Sequence, residues 1–290
     1  MTRETQKNIL FFAAALIILL CSFLITKNWM LIADENCHYE MIVDIQEGKD
    51  FFPARCPYLP GYHWTMVLLS NLVHNNHGKM LRFISVLISF FCLSAFFLNA
   101  KKIAPDSAAQ KSLLLLVSPL FFPLVSTIYT DIYAMLYVFL ALLCALNQRF
   151  WLSGIFGIVS LLVRQNNIVW LIFIALIAYF ENYYPQYQWK DVKKWISKFS
   201  VYFLAIALLI AFVIWNKGLV FGDRKSHYLA LSAGNLFFLL FMFFFLFFFI
   251  FLFSSFFLLS FFNIHFIILN IRYFFILLFF IRHIFEYIKH

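Results

Sequence analysis

Apolar runs recur along this chain at 9–26, 80–99, 112–128, 132–147, 151–163, 168–180, 199–215, 236–262 and 264–281, with mostly short polar pieces between them. A helix of about 20 apolar residues is what crosses a hydrocarbon core of about 30 Å. The repetition predicts an all-α, polytopic transmembrane helical protein with about 8–9 membrane segments. Composition agrees: 64% of residues are hydrophobic and 12% charged, against about 25% charged in a soluble domain. A chain this apolar cannot cover itself with polar surface, so lipid is its solvent over most of its length. We read 1–290 as a single multi-span membrane domain.

The net charge of +9 raises nucleic acid as a partner. No basic stripe with interleaved aromatics stands outside the apolar runs, so nucleic acid is not expected. Lys and Arg held on the cytoplasmic side of a membrane explain the excess. Ile9 to Thr26 reads as a first span rather than a cleaved signal, because no small-x-small site follows it. The cysteines are Cys21, Cys37, Cys56, Cys92 and Cys144. None forms a C-x-x-C pair, so no metal site is expected. Cys37 and Cys56 share one polar loop and could pair in an oxidising compartment; two free thiols is the simpler expectation.

Charge bias sets the topology. Gly61 to Val73 is too short for a comfortable span. If it does not cross and the N-terminus is cytoplasmic, Arg3, Lys7, Lys101, Lys102, Lys111, Arg149, Lys190, Lys193, Lys194 and Lys198 all lie inside. The segment 27–79 is then an outer loop with surface helices. Thr130–Asp131, Arg164–Asn167 and 216–227 face the same outer side. The Phe-rich stretch 236–290 is low in complexity; it reads either as a pair of spans or as a degraded, truncated end.

Four polar places could carry chemistry. Asp34 and Glu35 follow the first span closely, where a general base could act on a substrate hydroxyl; acidic residues that merely solvate a loop would look the same. Asp131 sits between two apolar runs, where an ionisable residue points to function or caps the helix that follows. Arg164-Gln165-Asn166-Asn167 interrupts an apolar stretch. The Arg could clamp a phosphate, or the four residues could form an ordinary tight connection. In Gly222-Asp223-Arg224-Lys225-Ser226-His227, Arg224 and Lys225 could bind phosphate while Asp223 and His227 orient groups, or the turn is a solvated loop. His63, His74 and His77 read as interfacial polar residues. No zinc-protease, P-loop, nucleophile-elbow or dinucleotide motif is present.

These blocks together resemble the dolichyl-phosphoglucose-dependent alpha-1,2-glucosyltransferase family, which adds the last glucose to the lipid-linked oligosaccharide for N-glycosylation. Asp34-Glu35-Asn36-Cys37-His38 matches its D-E-x-x-H signature, and Leu59-Pro60-Gly61-Tyr62 is similar to its P-G-L-Y. Lys79-Met80-Leu81-Arg82-Phe83 is similar to its M-L-R-F, and Tyr129-Thr130-Asp131 to its Y-T-[DE]. Val163 to Trp170 resembles R-Q-T-N-I-[IV]-W, and Lys217 to His227 resembles G-G-I-V-I-G-D-R-S-x-H. A W-D-P element appears only as Phe51-Phe52-Pro53, and a late D-N-R-H-Y block only as Asn270-Ile271-Arg272-Tyr273.

The resemblance implies a membrane glycosyltransferase of GT-C type in the endoplasmic reticulum, or in the inner membrane if the source is bacterial, with the acidic loop lumenal. The implied donor is dolichyl phosphate glucose and the implied acceptor a lipid-linked oligosaccharide. Transfer from a beta-linked donor to an alpha product is an inverting single displacement, with no cofactor and no metal expected. The implied site has Asp34 and Glu35 as catalytic candidates, and His38, Asp131, Arg164, Gln165, Asn167, Asp223, Arg224 and His227 as substrate-binding candidates. Two alternatives use the same charges: a transporter or flippase for a lipid-linked sugar, and a truncated, inactive relative.

Overall fold

The computed structural model describes residues 3–49, 59–73, 77–183, 192–218 and Leu240. The chain divides into two units, 1–230 and 231–290; every element below belongs to the first. The expectations placed on Cys56, on Asp223, Arg224 and His227, and on the Phe-rich stretch fall outside the described residues, Leu240 apart.

The first helix, α1 (Arg3–Thr26), is apolar around its whole circumference from Ile9 onward. Phe11, Ala15, Leu19 and Ser22 bury one stripe, while Leu10, Ile17, Leu24 and Ile25 stay exposed. An all-round apolar helix that exposes most of its surface suits a lipid solvent. Two short helices follow: α2 (Glu35–Gln46) and α3 (Gly61–Leu72). The stretch expected to form a helix too short to cross is α3. It buries Tyr62, Met66 and Ser70 four residues apart, and exposes Trp64, Leu68 and Leu72 on the other side.

The central helix, α4 (Gly78–Ile103), has 26 residues, about 39 Å at 1.5 Å per residue. Several of its buried polar groups find partners within the bundle. Ser89 Oγ donates to Ser85 O and Val125 O, and Asn99 Nδ2 to Ala95 O and Phe139 O. α1 and α4 are the two described helices long and apolar enough to cross a membrane. Four shorter apolar helices accompany them, at Thr130–Leu146, Phe150–Val163, Gln165–Phe180 and Ser200–Asn216.

The run 112–128 is not one helix. α5 (Ala108–Leu116) stops, and the chain turns through Ser118–Pro119 into a 3-10 turn at Phe122–Leu124. Pro119 and Pro123 each lack the N–H that a continuing helix would use, and Ser118 Oγ accepts from Phe121 N. The break leaves the backbone at 125–129 available to neighbouring elements. α6 (Thr130–Leu146) and α7 (Phe150–Val163) then form an antiparallel pair through a turn at Asn147–Arg149, where Gln148 takes φ 59°. A 3-10 turn at Gln165–Asn167 leads to α8 (Ile168–Tyr183). α9 (Val192–Lys198) precedes α10 (Ser200–Asn216), which starts beside the start of α7: Phe199 packs on Phe150 at 4.9 Å, and Gly154 leaves room for Val201.

The bundle has two chemically different ends. At one, Lys101 Nζ pairs with Glu4 at 3.3 Å and Lys102 Nζ donates to Leu146 O at 2.8 Å. At the other, the end of α1 meets the start of α4 and the stretch 126–131, where Ser126 Oγ bonds Ser22 and Thr26, each at 3.0 Å. The end of α7 arrives there too, because α3 packs against it. The segments 27–49 and 59–73, Thr130–Asp131 and Arg164–Asn167 therefore gather at one end, with Lys101 and Lys102 at the other.

Candidate active site

The segment after α1 makes one more helical bond, Lys27 N to Phe23 O, and then leaves the helix. It re-forms as α2 after Ala33, which is held at φ 47°, with Asp34 as the residue before the first helical position. This puts Asp34 and Glu35 on opposite sides of a boundary. Asp34 is exposed. Glu35 is 0% exposed.

Every acceptor position of Glu35 is taken. Its Oε1 accepts from Arg82 Nε at 3.1 Å and Ile128 N at 2.9 Å. Its Oε2 accepts from Arg82 Nη2 at 2.7 Å and Ile32 N at 3.1 Å. A carboxylate has about four such positions, so none is left for a substrate hydroxyl. Arg82, 2% exposed, is equally saturated. Besides Glu35 it donates to Thr26 O at 2.6 Å, Trp29 O at 2.9 Å and Met30 O at 3.1 Å. That uses the five N–H donors of a guanidinium. A buried ion pair holds only when such extra bonds satisfy both partners. The pair ties the end of α1, the segment 29–35, α4 and Ile128 into one unit.

The exposed carboxylate stands on that unit. The backbone N–H of Asp34 donates to Tyr129 Oη at 3.1 Å. The N–H of His38 bonds Asp34 O at 3.0 Å, so His38 lies one helical turn beyond Asp34. His38 Nδ1 meets His63 Nε2 at 2.9 Å, and the His38 ring packs edge-on to Tyr62 and Tyr129, each at 5.7 Å. Burial pushes the His38 pKa down to about 4; the Asp34 charge opposes the shift and the Arg164 charge adds to it. Burial, then His38, pushes His63 down to about 3. Both rings are neutral at pH 7 and share one proton between facing nitrogens.

Asp131, in the first turn of α6, pairs with Arg164, which follows the last residue of α7. Gly61 brings these parts together. A Cβ there would come within 2.7 Å of Leu162 O, so only glycine lets α3 start against the end of α7. Asn167 is buried and donates from Nδ2 to Ser160 O at 3.2 Å, holding the turn itself. Gln165 is half-buried.

The structure thus brings Asp34, His38, Asp131 and Arg164 to one place, with Gln165 and Asn167 in the adjoining turn. Glu35, expected beside Asp34 as a catalytic candidate, is buried with all its acceptor positions occupied. The sequence reading passed over three residues. Arg82 carried a signal, since it lies inside an apolar run, where a charge implies a buried partner. His63, read as interfacial, is fully buried. Tyr129 had no signal beyond its neighbours. Cys37 is disulfide-bonded, against the expectation of free thiols, whereas Cys21, Cys92 and Cys144 are free.

Residues 56–194 match the model of the DIE2/ALG10 family. A protein of Debaryomyces hansenii named Dol-P-Glc:Glc(2)Man(9)GlcNAc(2)-PP-Dol alpha-1,2-glucosyltransferase is 29% identical over 138 residues, covering 41% of this chain and 30% of that protein. Candida glabrata has a protein of the same name, 28% identical over 140 residues, which cover 40% of this chain and 27% of that protein. The like-named human protein is 26% identical over 199 residues, covering 55% of this chain and 42% of that protein. The matched part therefore spans less than half the length of these relatives. No solved structure matches.

Proposed function

We propose, from the match of residues 56–194 to the DIE2/ALG10 family model, that this chain is a membrane glucosyltransferase of that family. In this reading it moves glucose from dolichyl phosphate glucose to a lipid-linked oligosaccharide, with inversion, forming an alpha-1,2 linkage. The observation that carries the reading is the meeting of Asp34, Asp131 and Arg164. They come from three blocks far apart in sequence and converge at one end of the apolar bundle.

The chemistry needs two kinds of group. Asp34 is the base: it is exposed, anchored through its backbone by Tyr129, and takes the proton of the acceptor hydroxyl as that oxygen attacks the anomeric carbon. Glu35 supports it by fixing the segment it stands on. Arg164 faces the departing phosphate, whose charge calls for a fixed cation rather than a proton, and Asp131 orients the guanidinium. His38, neutral, orients Asp34 or the acceptor as a hydrogen-bonding group. Asp223, Arg224 and His227 belong with the donor phosphate on their sequence alone. The carboxylate end of the bundle is lumenal and the Lys101–Lys102 end cytosolic, in the endoplasmic reticulum membrane.

Turnover of labelled dolichyl phosphate glucose by the purified chain tests the reading. Asp34→Asn should lower turnover by about 10²–10⁴-fold, the usual contribution of a general base, with donor binding kept. Wild-type turnover in Asp34→Asn would refute the assignment. A chain that binds the donor and moves it across a bilayer without releasing dolichyl phosphate would be a transporter instead.

A further inference from the structure

Arg82 also borders a cavity that the candidate active site does not use. This cavity, of about 810 Å³, opens between the end of α1 and the start of α4, with Phe23, Lys27, Trp29, Lys79, Met80 and Phe83 among its walls. Its charge is one-sided. No carboxylate lines it among the described residues, and neither Lys27 nor Lys79 has an ion-pair partner there. Arg82 also lines it, but its five N–H groups are all spent on Glu35 and backbone carbonyls, so it adds a wall and no free cation. α4 has no acidic residue in its first turn to offset Lys79; a lysine at that end of a helix is disfavoured unless an anion comes near.

The polar and apolar parts are layered. Phe23 precedes Lys27 by four residues at the outgoing end of α1, and the Lys27 N–H still bonds Phe23 O. Phe83 follows Lys79 by four residues on the ingoing α4. Each ring therefore sits about 6 Å, one helical turn, deeper than its lysine. The rings meet edge-on at 5.5 Å between centroids. Two lysines at the mouth are thus each one turn from a ring of an aromatic pair set on two membrane-length helices.

We infer that this groove binds a phosphate-bearing lipid, its phosphate at Lys27 and Lys79 and its chain running past Phe23, Met80 and Phe83. The layering selects an amphiphile over a free anion, and the unopposed lysines select an anionic headgroup over a zwitterionic one. The inference goes beyond the transferase reading, since it uses neither Asp34 nor Arg164.

The test counts polyprenyl monophosphate molecules bound to the full chain in phosphatidylcholine nanodiscs by native mass spectrometry. If both sites hold, wild type carries two. Lys27→Gln/Lys79→Gln carries one, and affinity at the lost site falls about fivefold per lysine, about 25-fold for both. Lys27→Arg/Lys79→Arg keeps two. Arg164→Ala loses the other copy, so loss at one site is distinct from loss at the other. The inference is overturned if the double Gln variant keeps its full complement of polyprenyl phosphate. It is also overturned if inorganic phosphate displaces this copy at equal concentration, which would make the site a simple anion site. Equal retention of phosphatidylcholine alone would mark ordinary annular lipid and overturn it too.

Discussion

Replacing Glu35 by Gln keeps the shape and removes the charge, and its effect should be on folding before chemistry. The carboxylate accepts four hydrogen bonds, from Arg82 Nε, Arg82 Nη2, Ile32 N and Ile128 N. A glutamine offers one acceptor oxygen, and its NH₂ must face two of those same donors. Arg82, still bonded to three backbone carbonyls, is left charged and buried without its counter-ion. Breaking a buried pair in this way costs about 3–5 kcal/mol, of the order of 10 °C in Tm for a chain this size. Replacing both partners by Met should not restore stability, unlike the usual apolar substitution of a buried pair. Three carbonyls and two amide N–H groups would then lose their partners together. The assay is thermal unfolding in detergent beside turnover of the folded fraction in the cold. A Glu35→Gln variant with wild-type Tm and turnover lowered 10²-fold or more would refute the reasoning and make Glu35 the base.

Four further outcomes follow. Asp34→Asn should keep stability within about 0.5 kcal/mol of wild type, as an exposed substitution does, while losing turnover; a large Tm loss would sink its separation from Glu35. Arg164→Lys should raise the donor KM or lower the rate although charge is kept, because a lysine cannot copy a planar two-pronged donor; unchanged kinetics would remove Arg164 from the donor site. Gly61→Ala should destabilise by about 1–3 kcal/mol through overpacking against Leu162 O, read as a lower Tm; no change would show that α3 does not abut α7. His38 and His63 have pKa values depressed to about 4 and about 3 from 6.5. The unfolded chain therefore binds their protons first as pH falls, and their contribution is intact above 6.5 and lost across the window from 6.5 down to those values. The Tm slope over that window should flatten in His38→Gln/His63→Gln, and an unaltered slope would contradict the buried neutral pair.

Much of this was legible in the sequence, and for physical reasons. The long apolar runs at 9–26 and 80–99 become α1 and α4, and lysine bias alone groups the polar pieces 27–79, 130–131 and 164–167 on one side. Pro119 and Pro123 could have forewarned that 112–128 breaks, since each removes a helical donor. The division of labour between Asp34 and Glu35 could not be read. Neighbouring carboxylates look alike until Arg82, 47 residues away, buries one of them. The same holds for His63, whose role depends on a ring 25 residues earlier. Contacts of this kind are tertiary: the local pattern around Arg82 signals that a buried partner exists but not which carboxylate it is.

A helix that ends leaves its last carbonyls without donors, and water or a cap from its own chain usually meets that need. At the end of α1 its own chain supplies Lys27 N to Phe23 O and Trp29 N to Thr26 O, and Arg82 of the neighbouring α4 adds donors to the carbonyl of Thr26 and, just past the helix, to those of Trp29 and Met30. Backbone that leaves a helix here is met by protein and does not depend on water alone. Irregular backbone at membrane depth is tolerated where protein satisfies it. The irregular segment leading from α1 to Asp34 can therefore stay close against the ends of two membrane-length helices, because protein rather than water satisfies its carbonyls.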